Sequence, residues 1–274
     1  MGTGDRRDRV TRNRWKNILL GFIPIIVVVG VWILLPHFDH IAIYKFPRFT
    51  EVTSTLWTLT RDGTLPRALG ASVGRLAIGF AIGSVAGVVM GLALTLSDRL
   101  RTFFMPLIAF FNSIAGIAWI PLAIVWFGFG SGPVLFVIAN NIFFVVLYNT
   151  ILGAQGIPPV MFDAVRVMGG TSRTAQVREV LFPGAMVGVL GGLRIGLAFG
   201  WRALIAVEII AASSGLGFLS IQASRLYNGA TVVAVIIVIG LVWLVMDRLL
   251  LRPLESRTVE RWGMVQSVET EPAL

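Results

Sequence analysis

Residues Phe162 to Pro183 read FDAVRVMGGTSRTAQVREVLFP, a polar, amphipathic stretch set inside a chain otherwise built of long apolar runs. It is longer than a turn between two membrane spans needs to be. It places Arg166, Arg173 and Arg178 with Asp163 and Glu179 among regularly spaced apolar residues, around a Gly169-Gly170 pair. Two short helices broken at that pair would lay an apolar face on a partner or on the chain's own spans and turn a charged face to the cytoplasm. A helix lying on lipid headgroups is the plainer reading of the same pattern.

Composition sets the class around this stretch. Hydrophobic residues make up 56% of the 274 residues, charged residues 14%, and the mean hydropathy is +0.83. Those values exclude an ordinary soluble domain and predict an all-α integral membrane protein. A helix needs about 20 apolar residues to cross a hydrocarbon core about 30 Å thick. Six segments qualify: Ile18 to Phe38, Ser72 to Leu96, Phe103 to Phe127, Pro133 to Leu152, Met186 to Ile210 and Thr231 to Leu251. The runs are too long and too uniformly apolar for barrel strands, and lipid leaves no other way to satisfy open backbone groups. The expected organisation is a basic N-terminus (1–17), a six-helix transmembrane domain (18–251) with a cytoplasmic loop at 153–185, and a C-terminal tail (252–274).

Basic residues orient the chain. With the N-terminus inside, the cytoplasmic parts hold fifteen, from Arg6 to Lys16 and then at Arg99, Arg101, Arg166, Arg173, Arg178, Arg248, Arg252, Arg257 and Arg261. The outside parts hold five: Lys45, Arg48, Arg61, Arg67 and Arg225. That asymmetry follows the positive-inside rule, and six spans return the C-terminus to the cytoplasm. The net charge of +9 is therefore mostly an orientation signal, not a nucleic-acid footprint, since the N-terminal arginines lack interleaved aromatics. Arg6-Arg7 before an apolar run also suits a secretory or twin-arginine signal. The run exceeds a signal core and no small-residue cleavage site follows, so it is expected to stay as the first span. The absence of cysteine excludes disulfides and thiol chemistry, and His37 and His40 are read as interfacial.

Two patterns concern packing and function. Gly79, Gly83, Gly87 and Gly91, and then Gly184, Gly188, Gly192, Gly196 and Gly200, repeat every four residues. Such grooves let backbones approach closely, which predicts that spans two and five are the central helices of the bundle. Polar side chains at membrane depth need a reason, because an Arg or Asp at a helix centre costs at least about 2.5 kcal/mol to insert. Candidates for a translocation pathway are Asn112 and Ser113 in span three, Asn140 and Asn141 (with Asn149 beyond) in span four, and Arg194, Arg202 and Glu208 in span five. Arg194 and Arg202 are separated by about 80° and about 12 Å on an ideal helix, so both can face one cavity, whereas Glu208 points to nearly the opposite side. Tying helices together is the structural alternative for all of these groups.

Soluble catalytic machinery is missing. There is no G-x-x-x-x-G-K-[ST] phosphate loop, and the only lysines, Lys16 and Lys45, do not follow a glycine, so the chain is not expected to hydrolyse ATP. No cofactor or metal site is expected. Transport, a channel and a membrane scaffold remain.

At this point the chain resembles a known family. The cytoplasmic segment is similar to the coupling loop of ABC importer permeases, the EAA loop, with Asp163, Ala164, Val165, Gly169 and Pro183 in its roles. Further matches are Pro121 to Gly128, Asn149-Thr150, Gly192 to Gly196, Trp201, Glu208, Ser214 to Gly217 and Phe46-Pro47, which resemble the nitrate, sulfonate and taurine branch. The likeness runs from about Phe46 to Leu251. Asp163 replaces the usual Glu and Val165 an Ala, and Asp163 to Pro183 is one residue longer than usual, so Gly170 competes with Gly169 as hinge. Asn112 to Gly116 stands where relatives often have an Arg-Pro-x-Pro-Pro run, a departure that bears on a small oxyanion as substrate.

The resemblance implies a type I ABC importer permease fold, two cytoplasmic ABC ATPase subunits, an extracytoplasmic binding protein and a second copy of the chain in the lipid bilayer of the bacterial inner membrane. It implies a small anion of the alkanesulfonate, taurine or nitrate type as cargo, with vitamin precursors and aromatic acids carried by the same branch. Asp163 to Gly170, with Arg166, would couple to the ATPase, and Pro183 would end the loop helix before span five. Phe49 to Asp62 and Gly215 to Tyr227 would form outer helices that meet the binding protein, with Ser213-Ser214-Gly215 a flexible turn. A gradient-driven secondary transporter, the alternative from another class, predicts inverted repeats and more than the single intramembrane carboxylate present.

Overall fold

The computed structural model describes residues 47–170 and 172–251, together with 27 and 30–32; the expected first span and C-terminal tail otherwise lie outside the described residues. Those residues are mostly helical, with no strand among them.

An outer helix comes first, α1 (Phe49–Arg61), entered by a capping box in which the Arg48 backbone N–H donates to Glu51 at 3.1 Å. Trp32 packs its ring edge-on against Phe49 and donates its indole N–H to the Pro47 carbonyl at 3.1 Å, which joins the expected first span to α1. Gly63, in the left-handed region at φ 72°, turns the chain into α2 (Thr64–Thr95). That helix begins eight residues before the expected start of span two. Its glycine face is buried, while Ile78, Ile82, Val85 and Val89 are exposed on the other side.

Span three was expected as one helix and is broken. α3 (Asp98–Ser113), N-capped by Ser97, ends where Ile114 leaves helical geometry at ψ 117°. A 3-10 turn at Gly116–Trp119 then leads into α4 (Ile120–Phe127), bent by 90° from α3. The break is fitted to a neighbouring helix: Gly116 lies so close to the side-chain amide of Asn141, 25 residues further on, that a Cβ would overlap it. Pro121 sits in the first turn of α4, where its missing N–H costs nothing.

α5 (Ser131–Gln155) follows, then the loop helix α6 (Pro159–Val167), the short α7 (Arg173–Gln176), α8 (Phe182–Ala211), the outer helix α9 (Leu216–Arg225) and α10 (Gly229–Met246). Among the described residues, four helices are long and apolar enough to span a membrane, or five if the bent pair counts as one.

The bundle is centred on α5, which corrects the expectation that spans two and five are the central pair. Glycines of both ladders press on it, on adjoining faces that share Ile142 and Val146. An added Cβ at Gly83 would stand 2.5 Å from the Ala139 carbonyl, and one at Gly87 2.8 Å from that of Phe143. From α8, Gly188 meets the Asn149 carbonyl and Gly153, and a Cβ on Gly200 would stand 2.6 Å from Ile142. Ile142, fully buried, is thus held between Gly83 and Gly200. The ladders are consumed within one chain.

Candidate functional site

The loop between α5 and α8, expected to be cytoplasmic, is built as a helix, a sharp turn and a return. Pro158 and Pro159 start α6, their fixed φ pre-set for a first turn. The helix stops in a Schellman motif: the Gly170 N–H donates to the Val165 carbonyl at 2.9 Å and the Gly169 N–H to that of Arg166 at 3.1 Å. Gly169 takes the left-handed conformation at φ 92°, while Gly170 does not, and a Cβ on Gly170 would press on Val165 at 2.5 Å. Of the two expected hinge positions, Gly169 makes the turn and Gly170 the close approach.

Asp163 and Arg166 form an exposed ion pair one helical turn apart, at 3.2 Å, so in the isolated chain Arg166 answers Asp163. Val165 supplies the buried inner face, whereas Ala164 is exposed. Val160, Met161, Val167 and Met168 are exposed, the last two at 88% and 77%. This is an apolar surface on the connection between two membrane-length helices.

The return differs from expectation. Pro183 does not end a loop helix: residues Thr174–Ala211 form one 38-residue helix. Pro183 lacks an N–H for the regular ladder, and the chain answers with a π turn at Val177–Leu181 just before it, after which α8 continues. Loop and span five are therefore one rod, about 57 Å long at 1.5 Å per residue.

The candidate pathway residues separate into two groups. Asn141 and Asn149 donate their amides to their own helix, to the Val137 and Val145 carbonyls at 2.8 Å each, and Ser113 donates to Phe110 at 2.7 Å. Asn112 is exposed and Asn140 half-buried. Arg202 is exposed, its guanidinium 5.9 Å from the Phe199 ring centroid, and Arg194 is half-buried and engaged in an interaction.

Glu208 stands apart, with no exposed surface. It meets a residue that the sequence reading passed over: Arg75 of α2 donates to Glu208 at 2.8 Å. The same guanidinium donates to Ser131 Oγ at 3.1 Å, at the start of α5, and to the Ser214 carbonyl at 2.7 Å and hydroxyl at 2.5 Å. Ser72, also on α2, donates to the Glu208 carboxylate at 2.8 Å and accepts the Leu216 N–H at 2.8 Å. The Gly217 N–H completes the carboxylate at 3.0 Å. Both buried charges and the Leu216 and Gly217 N–H groups are answered here, as burial demands.

This network explains Ser214-Gly215-Leu216-Gly217 in physical terms. A Cβ on Gly215 would overlap the Glu208 carboxylate, and one on Gly217 would stand 2.7 Å from Glu208 Cβ. The turn expected to be flexible at Ser213 to Gly215 is instead held at Ser214. One signal for this cluster was present in the sequence: a lone arginine, Arg75, inside span two with the same insertion cost that drew attention to Arg194.

Residues 83–253 match the family described as "Binding-protein-dependent transport system inner membrane component". The taurine transport system permease protein TauC of Escherichia coli (strain K12) is 31% identical over 261 residues, which cover 92% of this chain and 94% of TauC. The bicarbonate transport system permease protein CmpB of Synechococcus elongatus is 29% identical over 248 residues, 86% of this chain and 89% of CmpB. Among solved structures, the inward-facing MetNI methionine ABC transporter superposes with a TM-score of 0.56 at 20% identity, over 72% of this chain and 96% of that one. An amino acid ABC transporter with histidines gives 0.59 at 18% identity, over 75% and 97%. These two show the fold, that of type I ABC importer permeases. With the family matched over more than half its length, this chain belongs to the binding-protein-dependent transport system inner membrane components, a multi-pass permease part of an ABC importer and not an enzyme.

Proposed function

We propose that this chain forms the translocation pathway for a small anion of the taurine, sulfonate, nitrate or bicarbonate type, handed over by an extracytoplasmic binding protein. Two ATPase subunits drive it from the cytoplasm, a second copy of the chain completes the pathway, and both termini are cytoplasmic. The observation that carries the reading is the α6–Gly169 unit with Val160, Met161, Val167 and Met168 uncovered, in a chain of this family. Apolar residues of that size in water call for a partner. Asp163 and Arg166, already paired with each other, would re-pair across that interface. The relatives that transport taurine and bicarbonate supply the anion class.

The mechanism follows from the rod. Closure of an ATPase dimer on ATP would push the docked α6, and the continuous helix Thr174–Ala211 carries that displacement into the membrane without a joint to absorb it. Because α5 is locked to both α2 and α8, the three helices would turn as one body. Arg202, Asn112 and Asn140, the polar groups that stay accessible or lack a helix-internal bond, would line the path, and Arg194 with Asn141 and Ser113 would border it.

The test is a mild-detergent pull-down of the tagged chain from its native membranes, followed by uptake of labelled taurine, an alkanesulfonate, nitrate and bicarbonate in proteoliposomes. An ATPase subunit should be recovered with the native chain and lost from the Met161→Asp and Val167→Asp variants. Recovery of no ATPase by a folded chain refutes the reading.

A further inference from the structure

The outer helix α9 is fastened in an unusual way. Beside it, an open cleft of about 210 Å³ separates it from the outer end of α2, bordered by Thr64, Arg67, Ser213, Phe218 and Gln222. Two N–H groups of its first turn are given to the spans: Leu216 to Ser72 and Gly217 to Glu208. The linker residue Ser214 is held twice by Arg75, which also grips Ser131. One guanidinium therefore joins the first turn of α5, the last turns of α8 and the entry to α9. At the free end of α9, Leu226 and Tyr227 are 74% and 82% exposed, and Tyr227 is held at φ 53°, a conformation that non-glycine residues seldom adopt.

Glu208 is three residues from the end of the rod whose other end is the cytoplasmic loop. Moving α9 away would strip the buried Glu208 carboxylate of the Gly217 N–H and break the Leu216–Ser72 and Ser214–Arg75 hydrogen bonds, while Ser72 and Arg75 of α2 hold Glu208 of α8, so α9 moves with α2 and α8 together. We propose that Ser72, Arg75, Glu208 and Ser214 are positioning residues that make α9 and α8 a single lever, so that contact of the binding protein with α9 is carried along α8 to the coupling loop. This rests on the permease reading above. It adds the device by which the outer face signals to the cytoplasmic one.

The experiment uses the full chain in lipid nanodiscs with its ATPase and binding protein, comparing native protein with Ser72→Ala, Ser214→Ala and Arg75→Lys. Hydrogen exchange at Leu216 and Gly217 reads the tie with no partner present. It should speed up about tenfold in Ser72→Ala, as expected for one lost buried hydrogen bond. Stimulation of ATPase activity by the binding protein should fall by about fivefold or more, with basal hydrolysis and binding-protein affinity unchanged, a coupling loss of the usual allosteric size. Arg75→Lys keeps the charge but cannot span Glu208, Ser131 and Ser214 at once, and should behave alike if Ser72→Ala does not fold. Faster exchange with full stimulation overturns the lever, because the tie is then local structure only. Unchanged exchange in all variants overturns the tie itself. A native complex without any stimulation sinks both the lever and the permease reading, which exchange alone cannot do.

Discussion

Replacing Arg75 by Met should reverse the sign of a second substitution, Glu208→Gln. In the native chain the Glu208 carboxylate receives Arg75, Ser72 and the Gly217 N–H in a fully buried site. Glu208→Gln alone removes the charge but keeps the shape and one acceptor, and should cost about 1.5–3 kcal/mol, the worth of hydrogen bonds to a charged group. Arg75→Met alone leaves a buried carboxylate without a cation and should cost about 3–5 kcal/mol. It also frees Ser214, which lines the cleft, and Ser131, which is exposed, so water can reach both. Once Arg75 is gone, Glu208→Gln removes an orphaned charge, so the double variant should be no less stable than Arg75→Met. The coupling should reach about 2–3 kcal/mol, well above the roughly 0.5 kcal/mol scatter of independent sites. The assay is reversible unfolding in mixed micelles followed by the fluorescence of the eight tryptophans. Additive costs would refute the view that the two side chains share one site.

Three further outcomes are expected. Gly83→Leu should reduce the folded fraction on fluorescence-detected size exclusion, at an overpacking cost of about 1–3 kcal/mol or more, whereas Gly74→Leu, with nothing within 4 Å, should be tolerated. Gly169→Val should weaken coupled transport through about 1–2 kcal/mol of left-handed strain, and Gly169→Asn should retain most of it, read as uptake per ATP hydrolysed. Asp163→Ala removes an exposed pair worth about 0–1 kcal/mol, so the melting temperature should hold while ATPase co-purification falls.

What the sequence reveals here follows from the range of each interaction. Membrane helices announce themselves, because apolar run length is a local property, and so does the Gly169 turn, where a glycine pair ends an amphipathic stretch. The break in span three did not show, because Ile114 to Gly116 is as apolar as a continuous helix requires, and the break depends on Asn141 pressing on Gly116 from another helix. Pro183 misled in the opposite direction. Proline is a helix stop only where the turn before it cannot widen, and Val177–Leu181 widens. Glu208 was singled out by cost, while Arg75, which carries the same cost, was overlooked beside the glycine ladder. Their pairing joins residues 133 apart, which no periodicity encodes.

The spent glycine ladders bear on how two copies can meet. Grooves so closely filled from within the chain, mostly by α5, that a Cβ on most of their glycines would overlap a neighbour cannot admit a second helix, so neither Gly79 to Gly91 nor Gly184 to Gly200 can serve a dimer. The surface left for a second copy is the apolar flank that the packed core does not use, such as Ile195, Phe199 and Ile209 on α8 and the bent α3–α4 pair with Phe110 and Trp126. Arg202 lies on that flank, beside Phe199. A second copy laid there would bring two Arg202 side chains to a shared, water-poor boundary, where like charges repel unless an anion sits between them. Under the proposed function, that shared boundary beside Arg202 is where a small anion would cross.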